Sequence, residues 1–191
     1  MRDETEPMDE PGNKPAAASI FRVLRAALRE ATIAVLPALL LALFVNVFVA
    51  EAALVEEGPS MQPNLFVGYR VMTEKISYRF HLPQRGDIVV VERPGLDKSL
   101  IKRVVALPGE IVEVRGGHTF INRRPISEPW VTHYGGPGCA PTLVPPDHVF
   151  ILGDNRANSH DSRAIGPVPV EFIMGHAWLV YWPLDRIELL P

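Results

Sequence analysis

The sequence predicts a mainly β fold, with an N-terminal single transmembrane helix followed by an antiparallel β-sheet domain that is partly closed in the manner of a barrel. Three observations predict it. Residues 31–50 form a run of 20 without a charge. Beyond them the chain breaks into short β-branched stretches separated by Gly and Pro turn chemistry. No helix-period pattern of useful length follows the apolar run.

The 191 residues and formal charge of -3 allow one domain plus an anchor. The expected division is a cytoplasmic tail over 1–30, an anchor over 31–50 and an extracytoplasmic domain over 52–191. So small a net charge, with both signs interspersed, leaves no electrostatic footprint for nucleic acid, which is excluded as a main partner. Cys139 is the only cysteine, so neither an internal disulfide nor a cysteine-based metal cluster can form. The six histidines show no metal-ligand spacing, and no metal or organic cofactor is expected.

Residues 1–19, rich in Pro and acidic residues without apolar periodicity, are expected to be a disordered tail. Arg22 to Glu30 is expected to form an amphipathic helix leading into the anchor. As a helix, Ala31 to Ala50 rises about 30 Å, the thickness of a bilayer core, and Pro37 and Asn46 can be accommodated inside it. Arg22, Arg25 and Arg29 precede it, and Glu51, Glu56 and Glu57 follow, so the positive-inside bias puts the N-terminus in the cytoplasm and the rest of the chain outside the cell membrane. Ala50-Glu51-Ala52 has the small-residue spacing of a secretory cleavage site. The apolar run exceeds the length usual for a cleaved signal, so a retained signal-anchor fits better; self-cleavage near Ala52 stays open.

Strands are expected over 88–92, 100–107, 110–114, 119–122 and 149–152. "EIVEVRGGHTFIN" reads as a hairpin over Gly116-Gly117, and "YRVMTEKI" with "RGDIVVVE" as an adjacent antiparallel pair. Residues 123–147 hold so many Pro and Gly that a long surface excursion without regular structure is expected.

Three stretches carry chemistry. In "GPSM", Ser60 follows a Gly-Pro that fixes the backbone and crowds the hydroxyl with nothing bulky; it is a turn residue or a nucleophile. In "LIKRVVALPGE", Lys102 interrupts an apolar run, and the strand period of two sends Lys102 and Arg103 to opposite faces, so one of them looks inward. Burial of Lys102 depresses its pKa and supplies a neutral amine able to serve as general base toward a serine. In "GDNRANSHDSRAIG", a dense set of hydrogen-bonding side chains follows an apolar strand, as in a polar network bracing a site, with Asp161 and Arg163 as an ion pair.

With "SMQPN", "RGDIVVV", "KRVVALPGE" and "GDNRANSHDSR" in this order behind an anchor, residues 30–191 resemble the bacterial type I signal peptidases, membrane-bound Ser-Lys endopeptidases that remove signal peptides from exported proteins. The resemblance implies Ser60 as nucleophile, Lys102 as general base, Ser159 as the hydroxyl that orients the lysine amine, and Asp161 and Arg163 as the supporting pair. It also implies a shallow apolar pocket walled by Met61, Leu65 and Ile101, preprotein signal peptides with an A-x-A motif as substrates, and membrane lipid as a partner. Three positions depart from the family's usual pattern: Asn64 stands where Thr is usual, Ala157 where a second Asp is frequent, and Gly58 where some members place a serine that assists the oxyanion hole. The hole would then rest on the Ser60 main-chain N–H and the Gly58 backbone.

Two other readings compete. A Ser-His-Asp hydrolase would draw on His81, His118, His133, His148, His160 or His176, none of which lies in a hydrolase motif. A membrane-tethered β module that binds a partner needs no nucleophile. Trp130, Tyr134, Trp178, Tyr181 and Trp182 are candidates for contact with the membrane interface.

Overall fold

The computed structural model describes residues 16–44 and 50–190, apart from 57, 93, 96 and 97. The expected tail falls mostly outside the described residues. The chain divides into two compact units, residues 1–44 and 45–191.

The first unit contributes one helix, α1 (Ala16–Phe44), which runs through Pro37 without interruption. The stretch Arg22 to Glu30 is thus part of the same helix as the apolar residues that follow, rather than a separate amphipathic element. Phe21–Leu43 is long and apolar enough to cross a membrane by length and composition.

The second unit is built from antiparallel strands. They are β1 (Ala50–Leu54), β2 (Arg70–Glu74), β3 (Ile88–Val91), β4 (Leu100–Ala106), β5 (Ile111–Arg115), β6 (His118–Ile121), β7 (Arg124–Pro125), β8 (Cys139–Leu143), β9 (His148–Leu152), β10 (Val168–Pro169), β11 (Ile173–Trp182) and β12 (Glu188–Leu189). A four-residue helix, α2 (Ser162–Ile165), comes after β9. One sheet has the order β1-β2-β11-β3-β4-β9-β10, with β12 added on β11, and its path ends on β1 and β10 without closing on itself. The second sheet has the order β7-β6-β5-β8.

Every residue of β3 is buried, because the larger sheet is covered on both faces. Ile88 and Val90 face one core with Val55, Met61, Leu65 and Ile101, while Val89 and Val91 face another with Val104, Val149 and Ile151. This alternation is the pleat's period of two with both faces apolar. A third core, between Val105 and Phe150 of the larger sheet and Val112, Val114 and Ile121 of the smaller, joins the two sheets.

The Gly116-Gly117 hairpin is present, with Arg115 opposite His118 and both glycines at positive φ (58° and 85°), the backbone a two-residue turn of this hand requires. The expected pairing of β2 with β3 is not: β11 lies between them, bonded to both, and β2 pairs β1 on its other side. Residues 123–147 are not a structureless excursion either. They contain β7 and β8, and Glu128, Val131 and Val144 are buried. Ala50 belongs to β1, so the helix expected over 31–50 does not reach that residue.

Candidate active site

Ser60 sits in the tight turn after β1. Gln62 N–H donates to Pro59 O at 3.0 Å and Leu65 N–H to Met61 O at 2.9 Å, which coils the chain around the hydroxyl. Gly58 enters the turn at φ 68°, a left-handed conformation natural to glycine. The far side of the turn is fixed from the loop after β9, where Asn155 N–H donates to Ser60 O at 3.0 Å.

Lys102 comes from β4, held in register by β3, where it lies opposite Val89. Its side chain is 4% exposed, and its Nζ lies 3.0 Å from Ser60 Oγ and donates to Ile101 O at 2.9 Å. Burial among the apolar residues of β3 and β4 disfavours the ammonium and pushes the pKa down to about 8, against the opposing pull of the Asp161 and Asp154 carboxylates. A neutral amine at hydrogen-bond distance from a hydroxyl is the geometry of a nucleophile and its base. No histidine lines the cavity at Ser60.

Arg103 is buried as well, so both members of the pair expected to split between core and solvent lie inside. Its Nε and Nη2 donate to the two oxygens of Asp154, each at 2.8 Å, and the Trp130 ring covers the guanidinium with its centroid 4.7 Å away. Trp130 therefore serves the interior of the site. Asp154 stands two residues past the end of β9, so this fork ties β4 to the loop that carries Asn155.

The same loop is braced twice more. Asp161 caps α2, accepting from Arg163 N–H at 3.2 Å, and its two oxygens receive Arg163 Nε at 2.8 Å and Nη2 at 2.9 Å. Burial by itself would raise this carboxyl; the bonds from Arg163 and from Gly153 N–H outweigh it and hold the group below the usual carboxylate range. Arg156 pairs with Glu128 through Nη1 at 3.0 Å and Nη2 at 2.5 Å, and also donates to Gly117 O and Thr119 Oγ1, so the smaller sheet is fastened to the loop. Glu128 had no signal in the sequence, since it lies in the stretch read as an excursion.

Ser159 Oγ is buried, packs on Gly153 and lies beside the Asp161 carboxyl, whose charged form it helps to favour. The bonds of the Lys102 amine go to Ser60 and Ile101, and none joins it to Ser159. Of the three residues expected to wall the pocket, Met61 and Ile101 line the cavity beside Ser60 with Leu54, Val55 and Leu100, whereas Leu65 lies behind it in the core. The cavity is small, about 60 Å3.

A model of the signal peptidases, peptidase S26, matches residues 28–182. The chain belongs to the signal peptidase family. Within it, the chain is similar to a signal peptidase I of Leptolyngbya laminosa, 43% identical over 160 residues that cover 79% of this chain and 78% of that one. Signal peptidase I P of Bacillus subtilis subsp. natto is 34% identical, over 81% of this chain and 89% of its own. A crystal structure of a signal peptidase I from Enterococcus faecalis is 31% identical with a TM-score of 0.42, covering 50% of this chain and 97% of the other. Of the positions that depart from the family's usual pattern, Asn64 keeps a bracing role: its Nδ2 donates to Asp154 Oδ2 at 2.7 Å and to Trp130 O at 2.9 Å. Ala157 is exposed. Gly58 has nothing within 4 Å of where a Cβ would stand, so that side of the turn is open space.

Proposed function

We propose that this protein is an endopeptidase that removes signal peptides from preproteins after small residues, using Ser60 as nucleophile and Lys102 as general base. The observation that carries this reading is the 3.0 Å approach of a buried, pKa-depressed lysine to the hydroxyl of Ser60 beside a cavity fit for a small side chain. Family membership supports the reaction class.

Neutral Lys102 accepts the Ser60 proton as Oγ attacks the carbonyl carbon of the scissile bond. The carbonyl oxygen, now negative, is received by the Ser60 N–H, to which the Gly58 backbone adds what it can present. The protonated lysine passes its proton to the leaving amine as the C–N bond breaks, leaving an acyl ester on Ser60. Lys102 then takes a proton from water, whose oxygen attacks the ester, and returns it to Oγ as the signal peptide leaves. Ser159 is the hydroxyl to which the lysine amine turns when Ser60 is acylated. Asp161 and Arg163 hold the loop that presents it.

The helix α1 is the membrane anchor in this reading, with the N-terminus in the cytoplasm, residues 52–191 outside the cell membrane and lipid as a partner, as the placement of Arg22, Arg25 and Arg29 before the apolar residues favours. The test is processing of a preprotein with an A-x-A site by the full chain in detergent. Cleavage after the last small residue is expected, and abolition when that residue is made bulky. Binding without cleavage would favour the tethered binding module instead.

A further inference from the structure

A second cavity, of about 220 Å3, adjoins the one at Ser60 and shares Leu54, Glu56 and Ser99 with it as a common wall. An extended substrate whose small side chain fills the cavity at Ser60 sends the side chain two residues upstream to the same face, about 7 Å away. In the A-x-A motif this is the first small position, and the second cavity receives it. The second cavity is much roomier than the one at Ser60, so volume alone does not choose among small side chains there. The chemistry of the wall decides.

Thr73 of β2 belongs to that wall. By the pleat it shares a face with Val71, which packs in one core with Val90 and Ala177. Thr73 is 2% exposed, and its Oγ1 is buried with no hydrogen-bond partner among the described residues. Glu51 stands opposite it on β1 but is engaged by Lys75 at 2.5 Å, and Leu54, Val90 and Met174 of the wall have no polar side chain to offer. The methyl is committed to β11, since a Cβ built on Gly175 would stand 2.9 Å from Thr73 Cγ2. The hydroxyl is the group this side chain has left for the cavity.

A buried hydroxyl left unbonded is costly, and it both donates and accepts. An alanine or valine side chain entering the cavity leaves Thr73 Oγ1 stranded. A serine or threonine hydroxyl gives it a partner and is itself spared an unpaired burial. We propose that Thr73 makes the second cavity selective for a small hydroxyl side chain, serine or threonine, over an apolar one of the same size at the first small position of the motif. The proposal rests on the peptidase reading above and narrows its substrate class.

The test uses the full chain in detergent and four preproteins identical except for Ala, Ser, Val or Thr at that upstream position, with kcat/KM measured for wild type, Thr73→Val and Thr73→Ser. Threonine and valine have nearly the same shape, so this pair separates the bond from the fit. Wild type is expected to cleave the Thr substrate about tenfold faster than the Val substrate, and the Ser substrate faster than the Ala substrate. Thr73→Val is expected to bring the Thr-to-Val ratio down to about one, and Thr73→Ser to keep the Thr substrate ahead. Without substrate, Thr73→Val is expected to be at least as stable as wild type in denaturant unfolding, because no bond inside the fold is lost. Equal cleavage of the Thr and Val substrates by wild type, a ratio that Thr73→Val leaves unchanged, or a clear loss of stability in that variant each overturns the hydroxyl preference. Each leaves the peptidase reading intact, provided wild type cleaves the Ala substrate. Failure of wild type to cleave any of the four overturns both.

Discussion

Arg103 and Asp154 meet in a two-bonded fork, with both N···O distances 2.8 Å, immediately beside Lys102 in sequence and on the other face of the same strand. The strand thus offers its amine to Ser60 on one side and is locked to the Asn155 loop on the other. Since Asn155 N–H holds Ser60 O, the fork and the nucleophile belong to one connected frame.

Breaking that fork should be expensive. Both side chains are buried, and Arg103→Met leaves a carboxylate whose remaining side-chain donor is Asn64. A loss of about 3–5 kcal/mol is expected in denaturant unfolding, with much of it regained in Arg103→Met/Asp154→Leu, because the cost lies in the stranded charge more than in the lost pair. A single variant as stable as wild type would contradict the described pairing.

Lys102 is expected to destabilise the fold at neutral pH. Its pKa falls from 10.5 unfolded to about 8 folded, so between these values the unfolded chain binds more protons and stability rises with pH. Below about pH 8 the penalty is fully present, roughly 3 kcal/mol for such a difference. Lys102→Met should therefore be more stable than wild type at pH 7, with an advantage that shrinks as pH climbs from 8 toward 10.5. Unfolding curves at pH 7 and pH 10 read this directly.

Gly153 leaves no room for a side chain. A Cβ there would stand 2.3 Å from Ser159 Oγ and 2.4 Å from Ser60 O, the second of which is backbone and cannot swing away. Gly153→Ala should displace the nucleophile and lower kcat by about a hundredfold or more, while circular dichroism keeps the β signature. Near-normal turnover would show that the turn at Ser60 tolerates being pushed.

Some of this was legible along the chain and some was not, for physical reasons. Lys102 stood out because a charge inside "LIKRVVAL" conflicts with its neighbours, and the Gly116-Gly117 hairpin because two adjacent glycines between alternating strands leave few other conformations. That Arg103 is buried too could not be read from alternation, which assumes one wet face, whereas this sheet is covered on both. β1, "AEAAL", has weak strand propensity and exists through pairing with β2. β11 went unrecognised because Gly175 and His176 interrupt its apolar pattern. Yet Gly175 is what lets it approach β2, since a Cβ would fall 2.0 Å from Glu74 O. The Arg156 to Glu128 pair joins residues far apart in sequence, and only the packing of two sheets brings them together.

The most direct measurement of the dyad is cleavage of an A-x-A preprotein by the full chain in detergent, comparing wild type with Ser60→Ala and Lys102→Ala from pH 6 to 10. Both variants should lose at least about a thousandfold in kcat/KM. The wild-type rate should rise with pH through an apparent pKa near 8 as the Lys102 ammonium loses its proton. A variant that keeps wild-type activity, or a wild-type rate that does not change across pH 7 to 9, would contradict the assignment of Ser60 as nucleophile and Lys102 as its base.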